Sequence, residues 1–148
     1  MTLPTNPDDL LLQALREPES LRARAFLNPP FAPETINTRA WRAAEIPAVN
    51  GHTNARAVAR IYGALACGGE HDGVSLLGPQ ALARATAERC RAIDLVTGVP
   101  VRLGLGFALS LPEWPLGPGP RAFGHPGAGG SVGFADPDAR VASGTRRT

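Results

Sequence analysis

The chain contains no lysine; all 15 of its basic residues are arginine. Arginine stays protonated and is a poor general base, so no Schiff base, P-loop lysine or Ser–Lys dyad can form from these residues. Cysteine is nearly as scarce. Cys67 and Cys90 are too few and too far apart for a zinc knuckle, and the C-x3-H spacing of Cys67 and His71 lacks a second ligand pair, so no metal is expected. Two reduced, partly buried thiols suit a cytosolic protein. The net charge of +2 is small and no basic stripe is interleaved with aromatics, which argues against nucleic acid. No run reaches the roughly 18 apolar residues of a membrane span. Met1 to Leu12 carries Asp8 and Asp9 in place of a basic, then apolar, leader, so a cytoplasmic location is expected.

What is present suits one modest globular domain, with 43% hydrophobic residues and 19% charged. Residues 7–16 read as a helix, with Pro7, Asp8 and Asp9 in its first turn. A second helix is predicted from about Pro18 to Leu27, then a proline-rich turn from Asn28 to Pro33 and a short helical piece near Trp41. Ala55, Val58, Ala59, Ile61, Tyr62, Leu65 and Ala66 recur at helical spacing, with Thr53 or Asn54 as cap and Gly68-Gly69 as stop. Gly73 to Leu77 reads as a turn or brief strand, and a helix from Pro79 is expected to run through Ala85 to Cys90. Val101 to Leu109 then reads as one long strand, Leu111 to Pro120 as a connection, and Arg121–His125 and Ser131–Ala135 as two more strands. Helices followed by consecutive strands predict an α+β fold, an antiparallel sheet with flanking helices. The chain divides into a helical lead-in over 1–40, a main portion over 41–140 and an irregular tail over 141–148.

One stretch reads as a site. In Phe123-Gly124-His125-Pro126-Gly127-Ala128-Gly129-Gly130-Ser131-Val132-Gly133-Phe134 an imidazole stands among glycines that let backbone N–H groups approach a ligand. The alternative is a glycine-rich turn between two strands with His125 merely exposed. The G-x-S-x-G match at Gly129 to Gly133 is not a nucleophile elbow. That elbow needs a helix after the serine and a later histidine, whereas His52, His71 and His125 all precede Ser131. Gly104-Leu105-Gly106 lacks the third glycine of a dinucleotide fingerprint and lies within a strand pattern, so no cofactor is expected and the glycines suit close packing or a bend. His52 reads as a neutral residue before a helix, and His71, between Glu70 and Asp72, as part of a solvated loop.

The run from Gly124 to Pro137 resembles the third active-site motif of the serine β-lactamase-like hydrolases, the relatives of class C β-lactamases, penicillin-binding proteins and family VIII esterases. Asn50 to Tyr62 resembles the helix that follows their cleft loop, and Arg102 to Phe107 the strand before the motif. The resemblance covers about Trp41 to Arg140. It implies that His125-Pro126-Gly127 occupies the slot written Lys-Thr-Gly in β-lactamases and His-x-Gly in many esterases, on a strand lining the cleft. It further implies that His125 positions substrate or aids proton transfer. Gly127, Ala128 and Gly129 become the oxyanion and substrate-binding residues, with the Ala128 N–H as oxyanion donor. The implied substrate is a small ester or amide.

The same resemblance sets what is missing. The family nucleophile is the serine of Ser-x-x-Lys, and a chain without lysine cannot hold that motif. Ser20, Ser75, Ser110, Ser131 and Ser143 begin nothing like it, and the only tyrosine, Tyr62, is followed by Gly63-Ala64 rather than the family's Tyr-x-Asn or Tyr-x-Ser. The chain is therefore expected to be a C-terminal fragment, inactive alone and able to associate with a separate N-terminal half. A non-catalytic binding or complementing module, or a product without function, are the alternatives.

Overall fold

The computed structural model describes residues 13–28, 33–47, 49–127 and 130–145. Contacts divide the chain into one unit of Met1–Thr53 with Leu95–Val99 and a second of Asn54–Asp94 with Pro100–Thr148.

The first unit is helical. After a helical turn over residues 13–16, helix α1 spans Leu21–Phe26, and the Ser20 hydroxyl accepts the Ala23 N–H at 3.1 Å as its cap. The Arg22 Nε donates to the Val96 carbonyl at 2.7 Å, which ties the 95–99 segment to this helix. A 3-10 helix over Pro33–Asn37 leads into α2, Arg39–Ala43, capped by Thr38. The Asn50 side chain then brackets the following loop, accepting from the Ile46 N–H at 3.1 Å and donating to the Trp41 carbonyl at 3.0 Å. The expected helix near residues 7–16 is described only from residue 13.

The second unit carries the sheet. Helix α3, Ala55–Ala66, starts at Asn54, whose side-chain oxygen accepts the Ala57 N–H at 2.9 Å. A hairpin of β1, Glu70–His71, and β2, Val74–Ser75, turns at Asp72 and Gly73, both at positive φ (51° and 74°). This is the two-residue Asp-Gly geometry whose twist matches the flanking strands. The expected loop at His71 is thus a strand. Helix α4, Pro79–Thr86, follows. Six antiparallel strands then run in sequence order: β3 (Cys90–Ile93), β4 (Pro100–Leu103), β5 (Ala108–Leu109), β6 (Phe123–Pro126), β7 (Val132–Asp136) and β8 (Val141–Thr145). The molecule is α+β, with an open antiparallel sheet and flanking helices.

Three expectations need correction. Helix α4 stops at Thr86 instead of reaching Cys90, because Ala87 is extended (ψ 135°) and the Ala85 carbonyl accepts the Leu105 N–H at 2.8 Å. Val101 to Leu109 is two strands, not one: Gly106 has φ 81° and Leu103 pairs with Ala108, so the chain reverses. Gly104 sits so close to the end of α4 that a Cβ there would lie 2.2 Å from the Ala85 oxygen, which is the close packing its glycine suggested. Finally, residues 141–145 are not irregular. They form β8, in unbroken register with β7 from Asp136↔Val141 to Val132↔Thr145. A strand held by its ladder, with small residues against a helix, needs no apolar alternation: a Cβ at Gly144 would lie 2.6 Å from the Ala55 oxygen of α3.

Apolar residues on both faces of the sheet are buried. Leu109, Phe123 and Ala135 pack with Leu65 and Ala66 of α3 and Leu82 of α4. Their chain neighbours Ala108, Ala122 and Phe134 pack with Leu116 of the β5–β6 connection. Successive strand residues point to opposite faces, so one cluster lies under the helices and the other under the connection.

Candidate active site

The glycine–histidine stretch is a β-hairpin. Gly124 is fully enclosed, since a Cβ there would fall 2.1 Å from the Gly133 oxygen; no larger residue lets β6 lie this close to β7. His125 pairs with Gly133 and Pro126 with Val132 on that side. On the other side, pairing with β5 stops at Ala108↔Gly124. The β5 strand is short because the Gly104–Phe107 turn reverses the chain just before it, where the Gly104 N–H donates to the Phe107 carbonyl at 2.9 Å. The last two residues of β6 therefore hold a one-sided position in the sheet.

His125 is exposed there, with Nδ1 2.7 Å from the Pro126 carbonyl oxygen. A carbonyl can only accept, so the neutral ring carries its proton on Nδ1 and leaves Nε2 as a lone-pair acceptor. Beyond it the Gly127 N–H donates to the Ser131 carbonyl at 2.7 Å and the Gly130 N–H to the Gly127 carbonyl at 3.0 Å, closing the hairpin. Ala128 and Gly129 lie outside the described residues. Ser131 precedes strand β7 rather than a helix, as the rejection of a nucleophile elbow requires.

The hairpin is seated on α3. Tyr62 and Val58 fill the space over Gly133, and the Tyr62 ring meets Phe107 edge-on at 6.4 Å, which in turn meets Phe123 at 5.0 Å. Burial pushes the Tyr62 phenol above its ordinary pKa by disfavouring the phenolate. Tyr62 thus has a packing role, not that of the family's tyrosine motif. Farther along the sheet, a hydrogen bond from Arg102 Nε (2.6 Å) holds the Glu88 carboxyl below the usual range, assisted by nearby Arg91. At the β7–β8 turn a hydrogen bond from Arg121 Nε (2.7 Å) does the same for Asp138.

His52 lies in the first unit, and Cys67 and Cys90 are free and exposed rather than partly buried, Cys67 at the α3 C-cap and Cys90 at the start of β3. Among the described residues no group of three His, Cys, Asp or Glu could hold a metal. No helix among them is long and apolar enough to cross a membrane. An open groove of about 230 Å³ between α3 and the β1–β2 hairpin, lined by Arg60, Ile61, His71 and Val74 among others, was not anticipated. The Asp72-Gly73 dipeptide was the signal available for the hairpin that shapes it.

These elements meet their counterparts among known proteins. The sequence profile described as Beta-lactamase matches residues 11–144. The chain belongs to the β-lactamase family. It is similar to Esterase/beta-lactamase LipL of Mycobacterium tuberculosis, 43% identical over 100 residues that cover 67% of this chain and 22% of that protein. Among solved structures, a family VIII carboxylesterase shares 47% identity with a TM-score of 0.73, covering 82% of this chain and 32% of that one. A penicillin-binding protein homolog from Caulobacter crescentus shares 46% identity with a TM-score of 0.72, covering 81% and 32%. The family relationship is thus to esterases and β-lactamase-related hydrolases, and the chain spans about a third or less of the length of these relatives.

Proposed function

We propose that this chain supplies one wall of the reaction cleft of a serine esterase that works through an acyl-enzyme, and that it does not contain the nucleophile. The observation that carries the reading is the one-sided end of β6, which presents His125 and the backbone around Gly127 beyond the last β5 partner. In this reading the backbone N–H after Gly127 donates to the oxyanion that forms when a hydroxyl attacks the ester carbonyl. Such donors act on charge that develops only in the transition state, and loss of one typically costs about 10²–10³ in rate. His125 Nε2 accepts a hydrogen bond from substrate or takes part in proton transfer. A histidine in this slot in place of a lysine favours neutral esters over carboxylate-bearing β-lactams. Family membership and likeness to a carboxylesterase support the substrate class.

The absence of lysine and of any Ser-x-x-Lys supports the view that the attacking serine comes from elsewhere. A cytoplasmic location and association with a separate N-terminal half belong to the same proposal. The test is direct: the purified chain is treated with a fluorophosphonate probe and with p-nitrophenyl esters. Neither labelling nor turnover is expected alone, whereas co-expression with an upstream half from a family esterase restores both, and His125→Ala lowers the restored rate about 10²-fold. A covalent fluorophosphonate adduct on the isolated chain overturns the reading.

A further inference from the structure

The groove beside α3 is built from residues that the sheet does not use. Tyr62 and Leu65 of the helix pack with the core, whereas Arg60 and Ile61 stand off that face and line the groove. The β1–β2 hairpin forms the other wall. His71 and Val74 are cross-strand partners and project to one face, with Leu76 two residues along, while Glu70 and Ser75 project to the other. The groove is lined by the first set, together with Asp72 of the turn.

Backbone hydrogen bonds fasten this hairpin to the helix. The Gly69 N–H donates to the Ala64 carbonyl at 2.8 Å, and the Gly69 carbonyl accepts the Leu76 and Leu77 N–H groups at 2.8 and 3.3 Å. Gly69 has φ 102°, and a Cβ there would lie 1.9 Å from the Leu77 oxygen, so only glycine makes this junction. The walls are therefore in place before any ligand arrives, and binding does not have to order them.

The lining is chemically divided. Ile61, Val74 and Leu76 are 50%, 58% and 44% exposed, so three aliphatic side chains meet water in one patch. Single exposed apolar residues are ordinary, whereas a contiguous patch marks a binding surface. Arg60 is exposed and, among the described residues, makes no ion pair. Asp72 has His71 Nε2 at 3.6 Å, beyond hydrogen-bond distance, so its carboxylate oxygens stay open to a donor. An apolar surface thus carries one guanidinium and one carboxylate, each with bonding capacity to spare.

We infer that this groove binds a free α-amino acid with an aliphatic side chain. Charge complementarity selects that ligand. Arg60 takes the α-carboxylate on its planar fork, Asp72 takes the α-ammonium, and the side chain lies on Ile61, Val74 and Leu76. A simple carboxylate would meet Asp72 as a like charge, and a simple amine would meet Arg60 in the same way. The groove of about 230 Å³ is smaller than the roughly 300–1,000 Å³ of sites for drug-sized molecules, which suits so small a ligand. The inference goes beyond the esterase proposal and does not rest on it, because no part of the His125 hairpin takes part.

The experiment follows the methyl resonances of Ile61, Val74 and Leu76 in the full chain by NMR at neutral pH. The chain is titrated with leucine, with isocaproate (no amine), with isoamylamine (no carboxylate) and with glycine (no aliphatic chain). Leucine is expected to shift these methyls and to bind about tenfold or more tighter than each of the other three, the effect of one lost charge-assisted hydrogen bond or of the lost apolar contact. Arg60→Gln should weaken leucine about tenfold without weakening isoamylamine, and Asp72→Asn should weaken leucine about tenfold without weakening isocaproate. Asparagine tolerates the left-handed conformation held at position 72, so the turn is kept. The analogue series uses the unaltered chain, so it decides the matter even where a variant unfolds. Four results overturn the inference: no methyl shift with leucine, equal affinity for leucine and either half-analogue, leucine affinity unchanged in both variants, or equally tight binding of N-acetyl-leucine amide, which would mean that the groove takes a peptide segment.

Discussion

The ring of Tyr62 stands where a side chain at Gly133 would have to be: a Cβ there would lie 2.4 Å from Tyr62 Cε2 and 2.7 Å from Val58 Cγ1. Gly133 is also the cross-strand partner of His125. The contact that seats the hairpin on α3 therefore lies one residue pair from the candidate catalytic group. Gly133→Ala must push β7 away from α3 or rotate Tyr62, an overpacking that costs about 1–3 kcal/mol. Urea unfolding should show the loss, and it should shrink when Gly133→Ala is made together with Tyr62→Ala, because the two residues share one space.

Tyr62 is the only tyrosine in the chain, so ultraviolet absorbance near 295 nm titrates it alone. Its phenol is raised above the ordinary value by burial, so the native state holds the proton more tightly than the unfolded chain. The associated stability is complete below the ordinary phenol range and is lost as pH rises through the raised native value. The expected result is a single transition displaced to higher pH than that of the same chain in denaturant. Tyr62→Phe should remove both the signal and this part of the alkaline loss of stability.

Much of this fold was legible where periodicity decides. The three- and four-residue spacing from Ala55 to Ala66, the Asn54 cap and the Gly68-Gly69 stop all correspond to α3 and its ends. What was not legible depends on contacts between distant residues. The Ala- and Arg-rich run after Pro79 keeps helical character through Arg89, and it stops at Thr86 because the Leu105 N–H of the Gly104 turn takes the Ala85 carbonyl. Val101 to Leu109 has a continuous strand composition, and only the tertiary setting of Gly104 and the left-handed Gly106 divides it. Small polar residues hid β8, whose place is set by β7 and by the surface of α3. At the candidate site, the His125 stretch was identifiable from residue types alone. Its one-sided pairing was not, because that depends on how soon β5 ends.

Asp136 is fully buried at the end of β7 and holds two loops together. One carboxylate oxygen accepts the Asp138 and Ala139 N–H groups at 3.0 and 3.1 Å, and the other accepts the Gly119 N–H at 2.5 Å. Asp136→Ala removes the acceptor of three part-buried N–H groups, each hydrogen bond contributing about 0.5–1.5 kcal/mol. Asp136→Asn keeps one acceptor oxygen and should cost less, because the amide can still serve the turn or Gly119 but not both. The ordering wild type, Asn, Ala in denaturant midpoint checks this, and equal midpoints for the two variants would show that the one acceptor oxygen Asn retains adds nothing.

Both cysteines are free and exposed, which makes them reporters of the native surface. Cys67 closes α3 and Cys90 opens β3, both in the second unit. A thiol-reactive chromophore such as dithionitrobenzoate should therefore release close to two equivalents from the native chain without denaturant, and Cys67→Ser and Cys90→Ser should each remove one. Cys90 lies on the exposed edge strand β3 and Cys67 at the end of α3, so neither needs local opening to react, and a thiol that reacts only in denaturant would show that its site is covered.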